Sequence, residues 1–449
     1  MTEISLSALT GQLLDAARKA GADTADAMAV EGTSLSIDVL DGKLEHADRS
    51  EGIDIGLRVL IGQRQACVSA SDISTRTIDE MAARAVAMAK EAPEDPYAGL
   101  ADPSQLVTDY DTDALELFDP SDEPDPQMLQ DDALRAEAAA AGISGVTQVQ
   151  SASAGYGRNR IHMAATNGFS AGYQRSNRAI SCVAIAGTGA GMERDYDHDS
   201  RIFQSDLTDA TEIGVSAGER AVARLDARKP KTGTYPVLFD ERVASSLIGH
   251  LLAAINGIAI ARGASFLRDA MGEQVLPDHL SLIEDPHRKR TGASRPFDGE
   301  GLPTQSRAIV ENGRLTTWTL DLATARQLGL QSTGNAARGT ASPPGPSVSN
   351  VALTQGTASR DDLIRDMGTG LLVTSMIGST INPNTGDYSR GAAGLWVENG
   401  EISHTVNECT IAGNLRDMLQ RIIPANDAQT HLSRVVPSLL IDGLTLAGE

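Results

Sequence analysis

Residues 241–277 read ERVASSLIGHLLAAINGIAIARGASFLRDAMGEQVLP, and this stretch begins with a strongly amphipathic pattern. Apolar residues recur every three or four positions, which is the spacing of one buried helical face: Val243, Leu247, Ile248, Leu251, Leu252 and Ile255. His250 lies at the edge of that face. A single histidine in such a place is usually a boundary residue of the core, so the pattern alone predicts a scaffold helix.

The bulk composition indicates a globular protein that does not bind nucleic acid directly. A length of 449 residues suggests two domains or three, and 3% aromatic residues means that the cores are built from aliphatic side chains. The formal charge of −22 argues against broad contact with a phosphate backbone, which needs concentrated lysine and arginine. The same charge is typical of a soluble protein.

Cysteine usage and hydropathy predict a cytoplasmic location. The cysteines at 67, 182 and 409 are far apart and form no CxxC pair, which fits a reducing compartment. The start, MTEISLSALT, lacks the basic and apolar regions of a signal peptide. No run of about 18 apolar residues is present, so we expect no membrane span.

The first half of the chain predicts an antiparallel sheet with helices packed on it. Asp41-Gly42 is a strong hairpin signal between alternating segments. Predicted strands cover 27–30, 35–40, 53–59, 66–70, 146–154, 161–165 and 179–186, and predicted helices cover 7–20, 77–92, 128–141 and 210–228. The acidic, proline-rich residues 91–127 predict an extended surface segment.

Two motifs in this half resemble ligand loops without meeting their requirements. GTGAG at 187–191 lacks the spacing and the following lysine of a phosphate loop, so it predicts a turn. DYDHDS at 195–200 has three aspartates at calcium-loop spacing, but Ser200 stands where glycine is needed. We interpret these acids as an exposed strand edge.

The second half predicts a β-rich domain with a few helices, so the fold class is α+β with domains at 1–228 and 229–449. Predicted strands cover 235–239, 280–284, 306–311, 314–320, 351–354, 371–377, 394–397, 402–405 and 438–446. Helices are expected at 361–368 and 414–423, and residues 332–350 predict a long irregular loop.

Several ordered blocks resemble the TldD/PmbA family of bacterial peptidases, and its PmbA (TldE) branch in particular. The resembling blocks are SSLIGHLLAAINGIAIARGASFLRDAMGEQVLP, FDGEGLPTQSRAIVENGRL, LQSTGNAARGTASPPGPSVSN, LWVENGEISHTVNECTIAGN, PSLLIDGLTLAGE and the N-terminal GKLEHADRSEGIDIGLRVLIGQRQACVSASD. The resemblance covers nearly the whole chain. Each block alone is a weak signal, but the ordered set is specific.

The departures from the family pattern concern its zinc site. In the catalytic TldD branch, the corresponding helix carries HExxxH, in which two histidines bind zinc and the glutamate is the general base. Aligned on His250, this chain has Ser245 in place of the first histidine and Ser246 in place of the glutamate. The branch's cysteine ligand has no counterpart near the last strand. We therefore predict no catalytic residue and no metal in this chain, with zinc only in a TldD-type partner.

The resemblance implies a non-catalytic subunit of a cytosolic zinc metalloprotease that acts on unfolded peptides. The expected partner is a TldD-type chain or a second copy of this one, with no direct nucleic-acid or membrane partner. The role would be to complete the cavity and bind extended peptide at strand edges. Candidate substrate-binding residues are Asn335, Arg338, Asn382, Thr385 and Tyr388.

Two other functions remain open from the sequence. The chain can be a self-sufficient peptidase that uses other residues, in which case His250→Ala would abolish cleavage by the purified protein. It can also be a protein that modulates DNA gyrase, as an older name for the family suggests. Because the chain is acidic, that effect would act through protein contacts or proteolysis.

Overall fold

The first half of the chain forms a six-stranded antiparallel sheet with helices packed on it. A computed structural model describes residues 5–449, apart from the side chain of Ser379; residues 1–4, part of the start predicted to lack a signal peptide, lie outside the described part. In chain order the elements are α1 (Leu6–Ala20), β1 (Thr24–Leu40), β2 (Lys43–Ile61), β3 (Arg64–Ala70), α2 (Thr75–Glu91), α3 (Pro126–Ala141), β4 (Val146–Ala165), β5 (Ser170–Ala186), β6 (Glu193–Arg201) and α4 (Ala210–Val222). The strand order is β3-β2-β1-β4-β5-β6.

The strands are longer than the sequence pattern predicts. The predicted pairs 27–30 with 35–40, and 146–154 with 161–165, are continuous strands, β1 and β4. Each apolar segment of β1 packs under different helices: residues 25–29 join the core of α1 and α2, and residues 35–39 join the core of α3 and α4. The polar residues between them stay extended because β1 is hydrogen-bonded to β2 and β4 on both sides.

The predicted hairpin at Asp41-Gly42 is confirmed. Leu40 pairs with Lys43, and both turn residues have positive φ, 51° at Asp41 and 70° at Gly42. Two central residues with positive φ define the turn type that matches strand twist, and Asp-Gly tolerates this conformation best. The hairpin therefore sets the register of the first two strands.

The second half is β-rich with short helices, so the predicted α+β class is confirmed. In chain order the elements are β7 (Gly233–Phe239), α5 (Glu241–Ala254), α6 (Gly257–Ala261), β8 (Leu282–Glu284), β9 (Arg307–Glu311), β10 (Arg314–Leu315), α7 (Leu322–Leu328), β11 (Ala336–Ala337), β12 (Gly345–Pro346), β13 (Val351–Leu353), α8 (Arg360–Met367), β14 (Gly370–Ile381), β15 (Asp387–Glu398), β16 (Glu401–Asn414), α9 (Leu415–Leu419), β17 (Ile423–Pro424), β18 (Arg434–Val435) and β19 (Leu439–Ala447).

The principal sheet of this half closes on itself around helix α5. Its order is β16-β15-β14-β7-β19-β17, and β16 also pairs with β19. β7 runs parallel to β14 and antiparallel to β19. Helix α5 follows β7 directly, and its apolar residues belong to the main core of this half together with those of the sheet. The sequence-predicted scaffold helix is thus central to the second half.

Two predicted elements of the second half are much shorter in the structure. The strand expected over 314–320 is only the two-residue β10, and the helix expected over 414–423 is only α9. Helix α7 was missed, although Asp321 and Thr324 form a capping box at its start and Gly329, with φ 67°, ends it. Its seven residues are too few for helical periodicity to stand out.

Buried ion pairs connect the two halves. Arg338 pairs with Asp26, and Arg242 donates to Asp195 over 2.8 Å. Gly56 of β2 lies against the 332–350 loop, where an added Cβ would come within 2.1 Å of the Thr340 carbonyl oxygen. A domain boundary between residues 228 and 229 stays a prediction. Among the described residues, no helix has the length and apolar character needed to cross a membrane.

Candidate functional site

Helix α5 is fixed at its start and along one buried face. The Asp240 side chain caps its start by accepting from the Arg242 backbone N–H, and it also accepts from Arg360 Nη1 over 3.0 Å. The buried face consists of Ala244, Leu247, Ile248, Leu251, Leu252 and Ala254. The remaining face therefore presents the residues aligned with the zinc motif.

His250 is a neutral, unpaired imidazole in a partly apolar site. Its Nε2 is buried and has no hydrogen-bond partner among the described residues. The ring meets the Tyr388 ring edge to face, with centroids 5.9 Å apart. Burial, together with the charge of Arg390, lowers the pKa of His250, so the ring is uncharged at neutral pH.

The two serines of the aligned motif have no ligand chemistry of their own. Ser246 Oγ donates to the Val243 carbonyl oxygen over 2.7 Å, a bond within its own helix, and Ser245 is half-buried. Over residues 5–449, no group of three or more His, Cys, Asp or Glu side chains could hold a metal ion. The donor set at this helix does not fit zinc, which needs several imidazole, thiolate or carboxylate ligands. That the isolated chain binds no zinc stays a prediction.

Tyr388, Asn382 and Thr385 lie on and beside the β14–β15 turn. Tyr388 is buried, and its hydroxyl donates to Met376 Sδ over 3.4 Å; burial raises its pKa to about 12. Asn382 and Thr385 are exposed, and Thr385 Oγ1 donates to Asp387 Oδ2 over 2.6 Å. Of the predicted substrate residues, Tyr388 is the one that contacts His250.

Asn335 and Arg338 lie elsewhere, in the 332–350 loop, and both are engaged in the protein interior. Asn335 Nδ2 donates to Glu284 Oε1 over 2.8 Å. Arg338 pairs with Asp26, but its Nε and Nη2 are buried without partners among the described residues. The binding role of both residues stays a prediction. In the structure, the loop joins the two halves through the Arg338–Asp26 pair.

The acidic motif at 195–200 differs from the exposed strand edge expected from the sequence. It lies on the edge strand β6, but Asp195 and Asp199 are buried. Asp199 accepts from Arg201 Nε over 2.8 Å, and Asp195 accepts from Arg242 at the start of α5. Alternating carboxylates are buried here because arginines neutralise them: Arg242 from α5 at Asp195, and Arg201 from the same strand at Asp199.

A mixed-charge pocket at the start of α5 was missed in the sequence. Asp240 and Glu241 line it from the helix, together with Asp195 and Arg220 from the first half. The run Asp240-Glu241-Arg242 directly after a buried strand was the available signal, and by itself it indicates only a capped helix start. Sequence periodicity indicated only which face of α5 is apolar.

A groove of about 740 Å³ lies along β4 and β5 of the first sheet. His162, Tyr173 and Gln174 are among its lining residues, and the walls are both polar and apolar. His162 Nδ1 lies 3.0 Å from Thr10 Oγ1. None of the predicted substrate-binding residues lines this groove.

Comparison with known families matches three successive domains of one family. The matching models describe PmbA/TldA metallopeptidase domain 1 over residues 25–89, its central domain over 119–225 and its C-terminal domain over 232–448. Metalloprotease PmbA of Escherichia coli O157:H7 is 34% identical, over 95% of this chain and 93% of that protein. This chain belongs to the PmbA/TldD metallopeptidase family.

Another relative agrees with this membership, and solved structures share the fold. The PmbA homologue of Haemophilus influenzae is 36% identical, over 97% of this chain and 94% of that protein. A candidate modulator of DNA gyrase from Bacteroides thetaiotaomicron has a TM-score of 0.92 at 25% identity, with both chains covered completely. TldE of Thermococcus kodakarensis shares the fold, with a TM-score of 0.85 at 20% identity over 98% of this chain and 100% of that one.

Proposed function

We propose that this PmbA/TldD-family chain is a non-catalytic subunit that binds unfolded peptide for a metal-bearing TldD-type partner. The observation that carries the proposal is that α5 has Ser245 and Ser246 at the positions where, by resemblance, the catalytic branch of the family has a metal ligand and the general base. Peptide hydrolysis by a zinc enzyme needs ligands and a base together. A single neutral imidazole next to a buried tyrosine cannot supply several metal ligands and the base at once.

Two surfaces of the first half support peptide binding: the edges of its sheet and the groove along β4 and β5. Strands β3 and β6 are the outer strands of the first sheet, and a sheet edge can bind an extended peptide through its backbone groups. The groove along β4 and β5 has room for several residues of an extended chain. The family relatives named metalloproteases support a role in proteolysis.

The test compares this chain alone, a TldD-type chain alone and the two co-expressed. Metal content is measured by mass spectrometry on each preparation, and cleavage is measured on an unstructured peptide. We expect zinc in the TldD-type chain, less than a tenth of an equivalent in this chain, and the fastest cleavage by the pair. Size-exclusion chromatography with light scattering distinguishes a mixed dimer from a self-dimer.

His250→Ala is the variant that separates a subunit from an enzyme. Because His250 supplies no reactive group in the proposal, the variant should change cleavage by the pair less than about twofold. A purified chain that cleaves peptide alone and loses that activity in the variant would establish the self-sufficient peptidase instead. One tightly bound zinc per isolated chain would also contradict the proposal.

A further inference from the structure

A cavity of about 180 Å³ lies where α4 and β6 of the first half meet the start of α5. We call it the joint pocket, and its charged walls are Asp195, Arg220, Arg224, Glu241, Arg242 and Arg360, with Asp240 beside them. Its size is below the roughly 300–1,000 Å³ of sites for drug-sized ligands, so it fits a molecule of amino-acid size.

Every arginine of the joint pocket already has a carboxylate partner. Arg242 lies 2.8 Å from Asp195, Arg360 lies 3.0 Å from Asp240, Arg220 lies 2.7 Å from Asp197 and Arg224 lies 3.3 Å from Glu193. These pairs neutralise the guanidinium groups locally. The four positive charges therefore do not leave the pocket with an excess of positive charge.

Glu241 is the acid left over. Its carboxylate makes no hydrogen bond and no ion pair within 4 Å with any residue that the structure describes, although the side chain is half-buried and lines the cavity. A partly desolvated carboxylate without a partner is unfavourable, and a cation placed beside it would relieve that. Among the described residues, Glu241 is thus the charged side chain lining the pocket that has no ion-pair partner within 4 Å, and the nearby charges of Arg220 and Arg242 act on it without contact.

The sheet is irregular on the side facing this pocket. Thr374 is bulged out of the β14–β15 ladder, between the pairs Val373–Gly394 and Ser375–Ala393. Thr374 and Gly394 both line the cavity. Bulges are frequent beside binding sites because they interrupt pairing and re-aim side chains.

We propose that the joint pocket binds a small ligand through a primary ammonium group, with the Glu241 carboxylate as its counter-ion. The ligand class is a free amino acid or the first residue of a short peptide, which share this group. The site lies within this chain, so it can be tested without a TldD-type partner. It can therefore fail while the proposed subunit function stands, and the reverse also holds.

The ionisation of Glu241 gives the binding a pH dependence. Burial, together with the charges of Asp240 and Asp427, raises the pKa of Glu241 to about 7, while Arg220 and Arg242 act in the opposite direction. An ammonium ligand needs the ionised carboxylate. Since the ionised fraction falls about tenfold between pH 8 and pH 6 for such a group, the affinity for a free amino acid, whose amine stays protonated over this range, should fall by about the same factor. The fall should be smaller for a peptide end, because its own amine begins to lose its proton near pH 8.

The test is isothermal titration of the full chain at pH 8 with four probes: L-alanine, L-alanyl-L-alanine, L-alaninamide and N-acetyl-L-alanine. We expect L-alaninamide to bind at one site per chain. At least one of L-alanine and L-alanyl-L-alanine should bind there as well, and the acetylated probe should not bind because it lacks the ammonium group. L-Alanine without the dipeptide identifies a free amino acid as the ligand. The dipeptide without L-alanine identifies a peptide end.

Glu241→Gln and Glu212→Gln are matched variants, because Glu212 also lies in the first turn of a helix but is exposed outside the pocket. Affinity should fall at least about tenfold in the first and stay unchanged in the second. Three results would overturn the proposal. They are an unchanged affinity in Glu241→Gln, binding of N-acetyl-L-alanine as tight as that of L-alaninamide, and no detectable heat from L-alaninamide added in roughly millimolar amounts at a 50-fold molar excess over the protein. If Glu241→Gln does not fold, the probe series and the pH dependence of the unmodified chain decide.

Discussion

Asp26 is a buried carboxylate held between two guanidinium groups. Arg58 Nε donates to it over 2.7 Å, and Arg338 reaches it from the other half of the chain. Burial raises the pKa of Asp26, but the two arginines outweigh burial, so the pKa lies below its ordinary value. The ionised form is therefore the stable one in the folded protein.

We expect Asp26→Asn to reduce the free energy of unfolding at pH 7 by about 3–5 kcal/mol, because two buried positive charges lose their partner. Chemical denaturation at pH 7 measures the loss. A group with a lowered pKa stabilises the fold above its unfolded value and loses that contribution as pH falls through the folded value. The difference between the variant and the unmodified chain should therefore shrink below about pH 4.

Asp15→Asn is the control for this residue, since Asp15 forms an exposed pair with Arg18. Exposed pairs contribute little, so its effect should stay below about 1 kcal/mol. If the two variants were equally stable at pH 7, the buried pair would not have the assigned strength.

The pKa of Glu241 is shifted in the direction opposite to that of Asp26. Its pKa is raised, so its ionised form destabilises the fold, and that penalty is present above about pH 7 and absent below its unfolded value. Glu241→Gln should raise the unfolding temperature at pH 8 and leave it unchanged at pH 4. Thermal unfolding followed by circular dichroism checks this, with Glu212→Gln expected to be neutral at both pH values.

At the scale of elements, Gly56 fixes how close β2 comes to the 332–350 loop. Because a Cβ there would meet the Thr340 carbonyl oxygen at 2.1 Å, Gly56→Ala should destabilise the protein by about 1–3 kcal/mol. Gly52→Ala, on the same strand with nothing within 4 Å of its added Cβ, is the matched control. Denaturation midpoints compare the two, and equal midpoints would contradict the close packing.

Helix α5 should matter for packing more than for chemistry. Leu251 is completely buried in the main core of the second half, so Leu251→Ala should cost about 2–5 kcal/mol. Ser245→Ala, on the half-buried face, should change stability by less than about 0.5 kcal/mol. Urea denaturation measures both, and a larger effect at Ser245 would indicate an interaction that the helix geometry does not predict.

At the scale of the whole molecule, buried ion pairs and small apolar clusters join two sheets that share no strand. Arg338→Met removes the guanidinium that pairs with Asp26, and we expect differential scanning calorimetry to show a broader or divided unfolding transition. Without that contact the two halves are less strongly coupled. Arg18→Met, at an exposed surface pair, should keep the transition of the unmodified chain; an unchanged profile in Arg338→Met would show that other contacts suffice.

The local sequence determined much of the secondary structure. The Asp41-Gly42 hairpin, the helical spacing of α5 and the glycine after α1 depend on dihedral preferences and periodicity within a few residues. Long strands were divided because their polar middles break the alternation, and only pairing on both sides shows that β1 continues. Short helix α7 has too few residues for a period to be recognised.

The sequence by itself determined the α+β class, and the positions of Ser245 and Ser246 indicated the altered zinc motif. Only the tertiary structure decided that Tyr388 contacts His250, that Arg338 pairs with Asp26, and that Glu241 has no ion-pair partner among the described residues. The first two of these contacts join residues more than one hundred positions apart. Which charges end as neighbours depends on how elements pack, and no local dihedral preference or period encodes that distance.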